Sequence, residues 1–338
     1  MSGYDIPVCL FVFRRLDTVK MIMSKLQIVK PQNIYIFADG AREGVEGEQE
    51  KVNSVREYIQ KSINWECESN LFFSDTNLGY AKNIRDGFGK VLTDNPNGIF
   101  IEDDAIPSGA FFTYCKYLLK KYRSNKKIQY IAGFNGIGDN NIIQNSYTFG
   151  TTAPMSGAIA TWSDRWFGCD FTMREWAEDK KRKKTFHNTY DLEFYRFMAK
   201  SNDNVYVKPE SEWDIQFDYD MRVKNRVAIV PRGNLANSFG YIDASHTQGD
   251  KAGRDMASYM SFTKRKFDFP MDEPAEIKVN EIYDKYRQYI FVKVNGNILE
   301  RYVNYLYVDI KDVAYKSLPS PIWNSIKSIY NCLNSVKK

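Results

Sequence analysis

The chain has 338 residues, with 47 basic and 42 acidic side chains, 43% apolar residues and 15% aromatics, 23 Tyr and 22 Phe among them. This is too rich in core-forming side chains for a disordered chain, and long enough for one large or two modest domains. A net charge of +5 is small for the length, so no nucleic-acid partner is expected, and the run Lys180-Lys181-Arg182-Lys183-Lys184 reads as a solvated face.

The first hundred residues alternate strand-like and helix-like patterns, the mark of a layered α/β domain with parallel strands. Pro7 to Phe13 is a short continuous apolar run, as a strand buried on both faces should be. Leu16, Val19, Ile22, Met23, Leu26 and Val29 recur at helical spacing, with Asp17 placed to cap the start. Ile34 to Ala38 is the second strand and runs into Asp39-Gly40, while residues 42–62 carry a helical apolar stripe. Leu71 to Phe73 is a third strand, and Asn77-Leu78-Gly79 breaks the chain before a helix with Ile84, Phe88, Val91 and Leu92 on one face.

After the turn signal Asn95-Pro96-Asn97-Gly98, the strand Ile99-Phe100-Ile101 ends in Glu102-Asp103-Asp104. A helix follows Pro107-Ser108 with Phe111, Phe112, Cys115, Leu118, Leu119 and Tyr122 inward, and then a strand from Gln129 to Gly133. Residues 134–156 read as a long Gly- and Asn-rich loop over a site. Ser156 to Trp162 is strand-like, a polar and aromatic helical region extends to about residue 200, and Val227 to Pro231 is the last strand. The stretch 251–275 reads as a flexible segment, and 276–338 as a mainly helical C-terminal appendage.

Five cysteines, Cys9, Cys67, Cys115, Cys169 and Cys332, are scattered without a C-x-x-C pair, which suggests free thiols in a reducing compartment. Met1 to Pro7 lacks the basic start of a signal peptide, and no run of about 18 apolar residues occurs, so a cytoplasmic chain is expected. The two histidines, His187 and His246, cannot build a histidine cage for a metal.

Open α/β sheets bind ligands outside the carboxyl ends of their strands. Three adjacent carboxylates at such an end are therefore more than a solvated acidic turn: they suit Mg²⁺ or Mn²⁺, which takes one or two carboxylates together with substrate phosphates. Asp39 is a second carboxylate at a strand end, with a simple turn or helix cap as its plain alternative. Arg14, Arg15, Lys82 and Arg85 stand near strand or turn ends, where guanidinium groups could meet phosphate. Neither a P-loop nor a G-x-G-x-x-G follows the first strand, which argues against those nucleotide folds, and the glycine-free Phe13-Arg14-Arg15-Leu16 argues against a sugar-1-phosphate nucleotidyltransferase.

The succession of Arg14-Arg15, Ala38-Asp39-Gly40, Asn77-Leu78-Gly79-Tyr80 and Phe100-Ile101-Glu102-Asp103-Asp104 followed by Phe111-Phe112 resembles nucleotide-sugar-dependent glycosyltransferases of the GT-A fold. It looks most like the N-acetylglucosaminyltransferase I type and bacterial hemolytic-protein-like sugar transferases. The likeness continues through Ala160-Thr161-Trp162, Arg165-Trp166, Glu212-Trp213-Asp214, Asn234, Phe239-Gly240 and Ala244-Ser245-His246-Thr247, and covers roughly residues 5 to 250. It implies an α/β nucleotide-diphospho-sugar transferase fold with a mostly parallel central sheet flanked by helices. The expected GT-A domain is 1–250, with a nucleotide-sugar half to about residue 133 and an acceptor half from 134.

By the same resemblance, Asp39 would hydrogen-bond a uracil ring, and Arg15 or Arg14 would be the basic residue near the nucleotide. Asp104 would bind the metal, Mn²⁺ or Mg²⁺, with Asp103 toward the ribose and Glu102 toward the donor sugar. Asp214 falls where inverting members keep their general base, and His246 where many members contact metal or diphosphate. Asp218 and Asp220 lie close by as rivals for the base; His246 reads equally as a structural histidine, and His187 as surface. Trp162, Trp166 and Trp213 fit either a core or a sugar-binding wall.

The implied reaction is metal-dependent inverting transfer from a nucleotide diphosphate donor, a UDP-sugar such as UDP-N-acetylglucosamine, to a surface glycan or lipid-linked oligosaccharide in a bacterial polysaccharide pathway. The alternative is a noncatalytic glycan- or nucleotide-binding protein on the same scaffold. After Ser320-Pro321, the residues Ile322, Trp323, Ile326, Ile329, Tyr330, Leu333 and Val336 share one helical face. That helix would dock on the domain or another subunit, or lie on the inner face of the membrane.

Overall fold

The computed structural model describes residues 3–155, 157–182, 189–240, 251–264 and 267–295, with the backbone alone at 251–254 and 295. The amino-terminal part runs β1 (Val8–Val12), α1 (Leu16–Val29), β2 (Asn33–Ala38), α2 (Glu48–Ser62), β3 (Glu68–Phe73), α3 (Tyr80–Asp94), β4 (Asn97–Glu102), β5 (Ala105–Pro107), α4 (Gly109–Lys121) and β6 (Ile128–Ala132). It continues with β7 (Tyr147–Gly150), β8 (Ala158–Trp162), α5 (Ser163–Trp166), α6 (Trp176–Arg182), α7 (Leu192–Val207), α8 (Asp214–Val223), β9 (Val227–Pro231), β10 (Ala236–Ser238), α9 (Lys251–Tyr259) and α10 (Glu281–Asn295).

The main sheet has eight strands in the order β3-β2-β1-β4-β8-β6-β9-β7. β1 pairs in parallel with β2 and β4, β2 with β3, and β6 with β9, whereas β8 is antiparallel to β4 and β6, and β7 to β9. The sheet is thus mixed, with parallel pairing only slightly in the majority. β5 and β10 form a small antiparallel pair beside it.

Alternation along the strands divides the core into two layers. Val8, Leu10 and Val12 of β1 face the cluster that holds Val19, Ile22 and Leu26 of α1 and Phe111, Cys115 and Leu118 of α4. Cys9 and Phe11 face the other way, into the cluster with Ile84 and Phe88 of α3 and Trp213 and Phe217 of α8. All five β1 residues are buried, as a strand with helices on both sides requires.

Several expectations are corrected. Asp17 does not cap α1: Arg15 holds the N-cap position without a side-chain cap bond, and Asp17 lies inside the first turn, where its charge still favours the helix dipole. The region 134–156 is not all loop, because Tyr147–Gly150 forms the edge strand β7. Helix α9 occupies the start of the stretch read as flexible, and the rest is tied down where Ser146 N donates to the Asp272 carbonyl at 2.7 Å. Helix α10 packs into the sheet domain, with Tyr283 Oη donating to the Asn135 carbonyl at 2.8 Å and buried Asp284 accepting from Thr151 and Thr152.

Among the described residues no helix is long and apolar enough to cross a membrane. The amphipathic stretch after Ser320-Pro321 lies outside the described residues, as do His187 and His246.

Candidate active site

Because β8 runs antiparallel to both β4 and β6, the carboxyl ends of β1, β2, β3, β4, β6 and β9 share one rim with the amino end of β8. Phe13-Arg14-Arg15, Asp39-Gly40, Asn77 to Tyr80, Glu102 to Asp104, the loop from Gly133, and Gly157 therefore gather along it. A crevice at such a rim is where open α/β sheets take their ligands.

Asp39, Arg14, Arg15, Asp103, Arg85 and Lys82, all singled out from the sequence, have partners within the protein. Asp39 is buried and accepts from Gly40 N at 2.9 Å, Leu78 N at 2.6 Å, Gly79 N at 3.1 Å and Asn77 Nδ2 at 3.2 Å. A carboxylate offers about four acceptor positions, so a nucleobase would have to displace one of these donors. The carboxylate instead ties the loop that starts α3 to the end of β2. Gly40 makes this crossing feasible, since a Cβ there would meet the Thr76 backbone at 2.4 Å.

Arg14 donates to Glu48 Oε1 at 2.9 Å, and Arg42 reaches the same carboxylate through its backbone N–H, Nε and Nη2. These donors hold the Glu48 carboxyl down at about 2. Arg15 donates to Asp103 Oδ1 at 2.6 Å, and Phe13 N donates to Asp103 Oδ2 at 3.0 Å, which clamps the end of β1 to the end of β4. Arg85 donates to the carbonyls of Pro209 and Glu212 and lies over Phe171 at 5.2 Å. It supports the segment that leads into α8. Lys82 pairs with Asp86 one helical turn on.

A second group of carboxylates is left without such partners. Glu102 Oε1 accepts from Gly157 N at 2.6 Å, and burial together with Asp104 pushes its carboxyl up to about 8. Asp104, partly exposed, sits 3.8 Å from Arg15 Nη1 and is pushed up to about 6 by burial and by Asp103. Asp214, the first residue of α8, accepts from Ile215 N at 3.0 Å, and burial with Glu212 nearby pushes it up to about 6. Among the described residues no cation pairs with Glu102 or Asp214.

The two carboxylates are electrostatic neighbours. The Tyr80 hydroxyl lies near both, and near Asp104, while accepting a 2.9 Å bond from Trp213 Nε1. A small, partly open cleft reaches between Glu102, Gly157, Met155 and Trp213.

The rivals for the base are engaged elsewhere. Asp218 pairs with Arg222 at 2.7 Å, and Asp220 with Lys224 at 2.5 Å. Trp162, Trp166 and Trp213 are buried core aromatics. Arg165 is buried as well, and donates to the carbonyls of Tyr122, Arg123, Asn125 and Ile128 where α4 ends. Tyr80 had no expected role; its position directly after Gly79, at the first turn of a rim helix, was the available signal. Arg287, buried in α10, had no local signal at all.

Among the described residues no group of three or more His, Cys, Asp or Glu side chains is arranged to hold a metal ion. His246 lies outside the described residues, which leaves Asp104 as the one expected metal ligand within them.

No family model matches the chain, and no curated protein matches it. Among solved structures it is similar to the glycosyltransferase GlyE of Streptococcus pneumoniae TIGR4, with a TM-score of 0.28 and 12% identity over 86% of this chain and 63% of that one. The apo form of GlyE matches with the same score and identity over 86% and 62%. This chain thus spans less than two thirds of GlyE. A TM-score that low carries no argument about chemistry, which rests instead on the rim.

Proposed function

We propose that the chain is an inverting glycosyltransferase of the GT-A type, moving a sugar from a nucleotide diphosphate donor, a UDP-sugar such as UDP-N-acetylglucosamine, to a hydroxyl of a glycan or lipid-linked oligosaccharide. The observation that carries the reading is Asp214: a carboxylate at the start of α8 with no paired cation among the described residues, an electrostatic neighbour of Glu102, with a proton affinity raised to about 6 by burial and Glu212. Such a group is still mostly ionised at neutral pH yet takes up a proton readily, the balance a general base needs.

In this reading Asp214 accepts the proton of the acceptor hydroxyl as that oxygen bonds to the anomeric carbon. The bond from that carbon to the diphosphate oxygen breaks, and the nucleoside diphosphate leaves with its electron pair. Glu102, raised to about 8 and so largely protonated at neutral pH, would hydrogen-bond a sugar hydroxyl. Trp213 and Tyr80 hold the start of α8 against the rim through the Nε1 to Oη bond.

Asp104 is the carboxylate fit to hold Mn²⁺ or Mg²⁺, because it is partly exposed and carries unbalanced charge, whereas Asp103 is occupied by Arg15 and Phe13. When bound, such an ion supplies positive charge to a departing diphosphate.

The test is calorimetric titration of UDP and UDP-N-acetylglucosamine with and without Mn²⁺, on the wild type and on Asp104→Asn. Metal-dependent binding that disappears in the variant is expected. No binding of any uridine nucleotide in either condition would overturn the UDP reading.

A further inference from the structure

Arg287, on the second turn of α10, is only 8% exposed and has no carboxylate partner among the described residues. Its Nε is buried without an acceptor, and its Nη1 reaches only the Met256 thioether at 3.7 Å. The nearest acid along the helix, Asp284, is engaged instead by Thr151 N, Thr151 Oγ1 and Thr152 Oγ1, from which it accepts at 2.7 to 3.1 Å. Arg222, the other buried guanidinium of this region, has Asp218 at 2.7 Å. Among the described residues Arg287 is therefore a buried positive charge without a balancing carboxylate, a condition that is costly in a low-dielectric interior.

The surroundings make room for that charge. Gly136, at φ +66°, leaves open the space where a Cβ would stand 2.6 Å from Arg287 Nε. Pro154 borders the same spot, and Phe291 lies under the guanidinium at 5.8 Å. Gly136 follows β6 and Pro154 precedes β8, so the guanidinium belongs to the rim. Met155, next to Pro154, lines the cavity shared by Glu102 and Trp213. A planar fork of N–H donors in an apolar setting is suited to a bidentate oxyanion.

We propose that Arg287 is an anion-binding residue that receives a phosphoryl group of the bound substrate at the β6–β8 end of the rim. The group comes either from the diphosphate of the donor or from a phosphate ester on the acceptor. The inference depends on the transfer reading only in naming these two sources. Burial holds the guanidinium below its ordinary proton affinity, and a bound anion reverses that tendency.

The test uses the full chain at low ionic strength, with Arg287→Met and Arg287→Lys beside the wild type. Inorganic pyrophosphate stands in for the donor and glycerol 3-phosphate for the acceptor; binding is read by calorimetry and unliganded stability by melting. At least one anion is expected to bind the wild type, to lose tenfold or more in Arg287→Met, and to recover in part in Arg287→Lys. Unliganded Arg287→Met should melt at or above the wild type, because an unbalanced charge has been removed. Loss for pyrophosphate assigns the donor, and loss for glycerol 3-phosphate the acceptor.

Equal affinities in all three proteins would overturn the proposal. So would variants that melt well below a wild type that neither anion stabilises, since Arg287 would then be a structural residue. If UDP binds and Arg287 proves irrelevant, only this inference falls. If glycerol 3-phosphate binds through Arg287 while no uridine nucleotide binds, only the UDP reading falls.

Discussion

Glu48 and Glu102 are carboxylates near the same sheet rim, and their surroundings push them in opposite directions. Glu48 is surrounded by donors from Arg42 and Arg14 and falls to about 2, whereas Glu102 has one backbone donor, three acidic neighbours and, among the described residues, no cation, and burial with those neighbours raises it to about 8. In their hydrogen bonds Asp39 and Asp103 resemble Glu48, their oxygens filled by donors of the chain, although burial still raises the Asp103 carboxyl. Asp104 and Asp214 belong with Glu102. Where a rim charge holds loops together, the sequence supplies its partner. Among the described residues Glu102 and Asp214 have no cation, and Asp104 has only Arg15 at 3.8 Å, shared with Asp103, which is the physical reason for proposing chemistry at these three.

The largest effect that would break this division is at Asp214. Asp214→Asn is expected to lower the transfer rate by about 10² to 10⁴, the usual contribution of a positioned general base, while melting near the wild type. In the wild type the rate should rise with pH through about 6, because the base works only when ionised. At pH 5 it should be about tenfold below its plateau. Steady-state rates at saturating donor across pH 5 to 8 would check both points. A pH-independent rate, or a variant of full activity, would move the base elsewhere.

Glu48→Gln tests the other class and should leave chemistry alone. Removing one partner from a buried ion network costs on the order of 3 kcal/mol, so the variant should unfold at clearly lower denaturant concentration. Sign matters here: the folded Glu48 carboxyl lies below its ordinary value, so its contribution is full above about 4.5 and fades as pH falls toward about 2. The gap between variant and wild type should therefore narrow in acid. A gap that widened would mean that Glu48 is not held by its arginines.

Much of the fold was legible because it is locally written. β1, β2 and β4 are continuous apolar runs, and α1, α3 and α4 carry helical stripes whose residues are the buried ones. β5, β7 and β10 were not read, since strands of three or four residues are defined by what they pair with, and their partners lie 77 or more positions away in sequence: Tyr147 with Pro231 and Ala105 with Ser238.

The site divided in the same way. Residue type and strand-end position picked out Glu102, Asp104 and Asp39, while Asp214 came only from the resemblance at Glu212-Trp213-Asp214. Which acid is balanced is decided by neighbours across the sheet: Asp103 meets Arg15 only because β4 lies beside β1. Arg287 and the Gly136 that makes room for it belong to one environment that no local pattern connects.

Tyr80→Phe is the finest cut between the two classes, because the hydroxyl belongs to both. It accepts the indole N–H of buried Trp213, a structural bond, and it lies near Glu102, Asp104 and Asp214. Loss of the acceptor leaves a buried N–H unmet, which costs about 1 kcal/mol or somewhat more, so a small drop in melting temperature is expected. Trp213 is also the N-cap residue of α8, directly before Asp214. A shift there should move the base from its place and lower kcat by about tenfold with the donor KM little changed, the signature of an interaction that matters in the transition state. If the melting temperature drops and kcat does not, Tyr80 only supports Trp213, and Asp214 is held in place by α8 alone.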